Sequence, residues 1–192
     1  MIERLPVKAV LCGREYQLRN NGNWYEAYKV LCIFNDDSLS SGQKWVAAII
    51  TMFPDYVGIF ECSNVFHEAC EIIKYFIDKG RCGDTERQCD DGVSISFFRD
   101  MELIIESLNV SKDRDIRSTY MHWWTFLGDV CNHAPTGVYK TVLEIRYKLN
   151  NNISLETWER KFYSHNRSIV DLPKLHDDEI SFLNNLLGIV NS

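Results

Sequence analysis

From residue 24 onward the apolar residues of this chain recur every three or four positions. That is the helical period, because a helix returns to the same face after about 3.6 residues. Trp24, Ala27, Tyr28, Leu31 and Phe34 predict a first helix over about 23–34, closed by Asn35-Asp36-Asp37. Ser40 followed by Gln43 reads as a capping box, in which each side chain bonds the other residue's backbone N–H. The second helix it opens carries Trp45, Ala48, Ile49 and Met52, and Pro54 stops it. Ser63 is the expected N-cap of a third helix with Phe66, Ala69, Cys70, Ile73 and Ile77 on one face, and Gly80 suits its C-terminal end.

Ser96 is placed as the cap of a fourth helix with Phe97, Met101, Ile104 and Leu108. A fifth helix, starting after Asp113 or Asp115, aligns Ile116, Tyr120, Trp123, Leu127 and Val130, with Phe126 on one flank and Trp124 and Cys131 on the other. Its apolar arc is roughly 160° wide, against about 100° for an ordinary surface helix, so it is expected to lie at the centre of a bundle. Tyr120, His122, Trp123, Trp124, Phe126 and Leu127 form its signature. Thr136 is read as the cap of a sixth helix whose Val138, Val142, Ile145 and Leu149 step by four, three and four. After Asn150-Asn151-Asn152, Ser154 is read as the cap of a seventh with Leu155, Trp158 and Phe162.

Two stretches break this period. Residues 5–19 alternate around Cys12-Gly13, with Val7, Val10 and Leu11 before it and Tyr16 and Leu18 after, which predicts a β-hairpin. Residues 80–95 mix glycine, aspartate and cysteine without a period and are expected to form a mobile loop. A C-terminal extension over 166–192 ends, after a break at Pro173, in a helix at about 177–190 with two apolar stripes. Ile180, Leu183, Leu187 and Val190 form one, and Phe182, Leu186 and Ile189 the other. One stripe suffices for docking on the parent bundle, so Phe182, Leu186 and Ile189 are the candidate partner-binding residues. The fold class is therefore mostly α: a single domain over 1–192, a bundle of seven or eight helices with a small N-terminal β-hairpin.

Composition narrows the function. The 192 residues are 45% hydrophobic, which supports a real core, and the net charge of −6 argues against a nucleic-acid or anionic-membrane surface. No apolar run approaches the ~20 residues of a membrane span. The seven cysteines are odd in number and irregularly spaced behind a short, charged N-terminus, so reduced thiols are expected, most of them small core hydrophobes.

Candidate chemistry is sparse. Cys62, His67, Cys70, Cys82 and Cys89 could suggest zinc, but they lack the tight knuckles of structural sites, and His67 points about 60° away from Cys70 on a helix. His122 and Cys131 lie nine residues apart, more than ~13 Å along one helix, too far for a thiol–imidazole pair. His133 suits a helix C-terminus. The pairs Asp36-Asp37, Asp90-Asp91 and Asp177-Asp178 border helices or loops and suit capping. No phosphate loop, GxGxxG, HExxH or GxSxG pattern occurs. The expectation is a non-enzymatic protein with no catalytic, cofactor-binding or metal-binding residues.

Three segments carry a resemblance. The first runs from Tyr16-Gln17-Leu18 through Trp24-Tyr25-Glu26-Ala27-Tyr28-Lys29-Val30-Leu31 to Asp36-Asp37-Ser38-Leu39-Ser40. The second is Phe97-Phe98-Arg99-Asp100-Met101-Glu102-Leu103-Ile104-Ile105. The third, the most specific, is Met121-His122-Trp123-Trp124-Thr125-Phe126-Leu127-Gly128 with Glu144-Ile145-Arg146-Tyr147-Lys148 downstream. Together, over about 10–165, they resemble a family of small helical proteins of tailed phages and prophages of Gram-positive bacteria, encoded beside the tape-measure gene. The resemblance implies a tail-assembly chaperone in the cytoplasm of the bacterial host that binds the tape-measure protein, with self-association as a further expectation. The alternative it leaves open is a structural component of the tail or neck.

Overall fold

The computed structural model describes residues 5–79, 96–132 and 135–172. Two strands come first, β1 (Lys8–Leu11) and β2 (Arg14–Gln17). They pair antiparallel, with Leu11 opposite Arg14 and Lys8 opposite Gln17. The connecting Cys12 and Gly13 have φ of 46° and 80°, the left-handed pair that a two-residue hairpin turn demands. A 3-10 turn, Arg19–Asn21, leads into the helices. Among the described residues these are α1 (Trp24–Phe34), α2 (Ser41–Met52), α3 (Val57–Phe60), α4 (Ser63–Ile77), α5 (Phe97–Lys112), α6 (Trp123–Asn132), α7 (Gly137–Asn150), α8 (Thr157–His165) and α9 (Arg167–Val170). The fold is mostly α with an N-terminal β-hairpin, and two of these nine helices, α3 and α9, are single turns too short to show a period.

The described residues fall into two compact units. The first comprises 5–79 and 120–128; the second comprises 96–119, 129–132 and 135–172.

In the first unit α1 packs on α2, and both α2 and α3 pack on α4 together with β1. Ala48, Ile49, Met52 and Phe53 are fully buried. Ser40 and Gln43 close the capping box at the start of α2. Basic side chains cover the opposite ends. Arg19 donates to the carbonyls of Thr51 (2.8 Å) and Ile50 (2.9 Å) at the end of α2, and Lys44 donates to Phe34 O (2.8 Å) at the end of α1. These carbonyls have no partner within their own helix, so a cation there both bonds them and opposes the helix dipole.

In the second unit α7 packs against α5 and α9, and α8 packs against α9. Val142, Ile145 and Val170 form its buried centre, with Leu103, Leu155, Phe162 and Ile169 around them.

Several expectations change here. The fifth helix does not begin after Asp113 or Asp115: α6 starts at Trp123, and Tyr120 is 57% exposed rather than on an inward helical face. Asp113 instead takes the left-handed conformation that ends α5. In α7 the seam holds only at Val142 and Ile145; Val138 and Leu149 are exposed, and Tyr139, Leu143 and Arg146 are buried in their place. The N-cap of α4 is Cys62 rather than Ser63, and α8 opens on a reciprocal Glu156–Glu159 box rather than on Ser154. Cys70 is buried, but Cys12, Cys62 and Cys131 are exposed and Cys32 is half-buried; all five are free thiols. The 80–95 segment and the 177–190 helix with Phe182, Leu186 and Ile189 lie outside the described residues.

Candidate functional site

The His-Trp-Trp stretch sits at the start of α6 in the first unit, and each of its side-chain nitrogens has an internal partner. Residues 22–24 and 121–123 run past one another as a short antiparallel bridge. Trp123 N donates to Gly22 O (2.9 Å), and Trp24 N donates to Met121 O (2.9 Å). This bridge fixes the direction in which α6 sets off. His122 then caps it, since its Nδ1 accepts from Trp124 N at 3.1 Å and so serves one of the orphan amides of the first turn. With Nδ1 accepting, Nε2 carries the proton and donates to Pro6 O at 2.9 Å, which ties down the segment before β1. The ring is 1% exposed, and burial pushes its pKa down; the bond to Pro6 opposes that more weakly. His122 is therefore a neutral, fully bonded imidazole.

The two indoles complete the junction. Trp123 Nε1 donates to Ile77 O (2.9 Å), and Trp124 Nε1 donates to Phe76 O (2.8 Å). Both carbonyls belong to the last turn of α4, where backbone acceptors lack helical partners. Adjacent tryptophans at the start of one helix thus cap the end of another. Trp123 stacks on Phe126 and Phe126 stacks on Trp24, at 5.5 and 5.2 Å between ring centres, and Phe76 meets His122 edge-on at 5.4 Å. Trp123, Trp124 and Phe126 are buried, and Leu127 is half-buried. Tyr120, though exposed, donates its hydroxyl to Asn21 O at 2.9 Å.

Gly22 is the residue that this junction requires and that periodicity does not reveal. Its φ is +70°, and a Cβ there would come within 2.8 Å of Phe76 Cζ and 2.9 Å of His122 Nε2. Only glycine tolerates both the conformation and the closeness.

The second unit has a different polar centre. Arg146 makes a bidentate pair with Asp100, Nη1 to Oδ2 at 2.6 Å and Nη2 to Oδ1 at 2.9 Å. Its Nε donates to Val170 O (2.8 Å), and Nη2 also donates to Ile169 O (2.6 Å), which holds the end of α9. Asp100 Oδ2 also accepts from Ser96 N at 3.0 Å. Both side chains are almost completely buried. Tyr139 lies in the same interior, and burial first, then the Asp100 charge, drives its hydroxyl pKa up, so it remains a phenol. Asp100 and Arg146 come from the second and third of the segments that carry the family resemblance, 46 residues apart.

Cys82, Cys89 and His133 lie outside the described residues, and among the described ones the thiol and histidine candidates do not assemble. Among the described residues no three His, Cys, Asp or Glu side chains could share a metal ion. Cys70 is buried, and burial raises its thiol pKa to about 11, which disfavours the nucleophilic thiolate. Cys12 instead holds the hairpin in place: its N–H and Sγ donate to the two carboxylate oxygens of Glu68, at 2.6 and 3.4 Å.

The first unit also carries apolar side chains at the surface around α3. Val57 is 63% and Phe60 39% exposed. The Phe60 ring lies 6.1 Å from Tyr56 and 6.1 Å from Phe66. Comparison of the chain with protein-family models, with curated proteins and with solved structures finds no match. Among the described residues, no helix is long and apolar enough to cross a membrane.

Proposed function

We propose that this protein is a non-enzymatic tail-assembly protein of a tailed phage or prophage, a chaperone that holds the tape-measure protein while the tail forms. The observation that carries this reading is where its distinctive residues spend their polar groups. His122, Trp123 and Trp124, the most specific part of the resemblance, bond Pro6 O, Ile77 O, Phe76 O and the backbone of α6. They act as scaffold, which suits a protein that works by presenting a surface. The exposed Val57 and Phe60, on a chain of net charge −6, suit capture of amphipathic helices, whose apolar faces aggregate when unpaired. The apolar stripe of Phe182, Leu186 and Ile189 offers a second such face on the pattern of the sequence.

The test is co-expression with helical fragments of the tape-measure protein of the same phage. The chaperone should keep the fragments soluble and co-purify with them, and should be absent from purified virions. Fixed-copy presence in virions would assign it to the tail or neck structure, and failure to retain any fragment would remove the chaperone role.

A further inference from the structure

The aromatic chain at α3 has a spacing that bears on what could cover it. The rings of Tyr56 and Phe60, and of Phe60 and Phe66, lie 6.1 Å apart, close to the ~5.4 Å pitch of an α-helix. Apolar side chains on successive turns of one helix can therefore reach neighbouring rings. Val57 adds exposed aliphatic surface on the same turn, while Ile59 beneath is fully buried and fixes α3 to the unit. The hairpin backs α3 from behind: a Cβ added at Gly58 would sit 3.5 Å from both Arg14 Nη1 and Tyr16 Oη.

The charges beside the rings favour one kind of occupant. Asp55 precedes Tyr56 and Glu61 follows Phe60, both exposed, and Glu68 is exposed on α4. Arg14, over the Tyr16 ring at 5.2 Å, is a cation behind α3. These described neighbours are acidic in balance, as is the whole chain.

We propose that Tyr56, Val57, Phe60 and Phe66 form the docking surface for an amphipathic helix of the client whose apolar stripe is bordered by lysine or arginine. The inference rests on the chaperone reading and gives it a location and a partner chemistry. Rings supply apolar anchoring at low entropy cost, and the acidic border steers basic helices and disfavours acidic ones.

The probe is a fluorescent synthetic amphipathic helix of leucine and lysine, compared with a leucine–glutamate helix and with a scrambled leucine–lysine peptide of equal charge. The full-length protein should bind the first and discriminate against the other two, with binding that weakens as salt rises. Val57→Ser with Phe60→Ser should weaken binding at least tenfold with an unchanged melting temperature, and Val57→Ser alone should act in the same direction. Equal binding by wild type and double variant overturns the proposal. So does a wild-type dimer in sedimentation that the double variant converts to monomer, because a second copy would then be the occupant. Capture of tape-measure fragments by wild type and double variant alike would remove this surface and leave the chaperone role standing. Binding of the leucine–lysine helix without capture of any tape-measure fragment would do the reverse.

Discussion

The two units solve the same problem with opposite chemistry. In the first, the buried polar groups at the junction are neutral: an imidazole and two indoles, each bonded to backbone. In the second, the buried centre is ionic, with Asp100 and Arg146 paired in two parallel bonds and Arg146 serving two further carbonyls. A neutral hydrogen bond inside a protein contributes only about 1 kcal/mol net, and its loss is local. A buried ion pair contributes little net either, because desolvation offsets attraction, but removing one partner strands a charge. The first unit should therefore yield gradually to substitution and the second abruptly.

The largest effect expected is at the ion pair. Arg146→Ala leaves the Asp100 carboxylate buried without its cation and should cost about 3–5 kcal/mol. Arg146→Met combined with Asp100→Leu should recover most of that loss in chemical denaturation. If the double variant is as unstable as the single, the pair contributes attraction rather than mutual neutralisation. Next comes Gly22→Ala in the first unit. A residue forced to positive φ costs about 1–3 kcal/mol, and the Phe76 contact adds overpacking of similar size. A melting temperature within a degree of wild type would show that Phe76 and His122 yield easily.

A pH series sharpens the contrast further. Burial lowers the pKa of His122, so the unfolded chain, with an ordinary histidine near 6.5, takes up the proton first. Stability should be complete above about pH 6.5 and fall as pH drops below it. His122→Asn keeps an acceptor for the Trp124 amide and should remove that component of the pH dependence. An unchanged slope in the variant would assign the effect to other groups. The smallest effect is at the α2 cap, where Ser40→Ala should cost about 1 kcal/mol in thermal unfolding, the usual value of an N-cap side chain.

What can be read from the chain follows from the range over which each interaction acts. Local features are plain: the Cys12-Gly13 hairpin turn, the Ser40–Gln43 box, the Ser96 cap, and the apolar face of Ala48, Ile49 and Met52 all involve neighbours within a turn or two. The extension of the tryptophan helix back to Ile116 fails because helical spacing continues by chance through a turn at 116–119, and α6 begins only after His122 bridges Asn23. The junction itself is legible as an aromatic cluster but not as a set of caps, because its partners, Pro6, Gly22, Phe76 and Ile77, lie up to 116 residues away. The Asp100–Arg146 pair is equally hidden. Arg146 sits between apolar neighbours on a helix where long side chains usually reach solvent, and only tertiary packing reveals its acidic partner.

The Pro6–His122 bond has a consequence for the order of events during synthesis. It closes a loop of 116 residues, and the Trp123 and Trp124 bonds close loops of 46 and 48. Such distant pairings are slow to find, since chain entropy must be lost before any contact compensates for it. The first unit cannot complete its core until Phe126 has left the ribosome, by which time all of α5 has emerged. At about 5–20 residues per second, the end of α4 then waits a few seconds with the carbonyls of Phe76 and Ile77 unserved by either indole. The nascent chain is thus interleaved rather than sequential in its folding, and the tryptophan pair acts as its closing step.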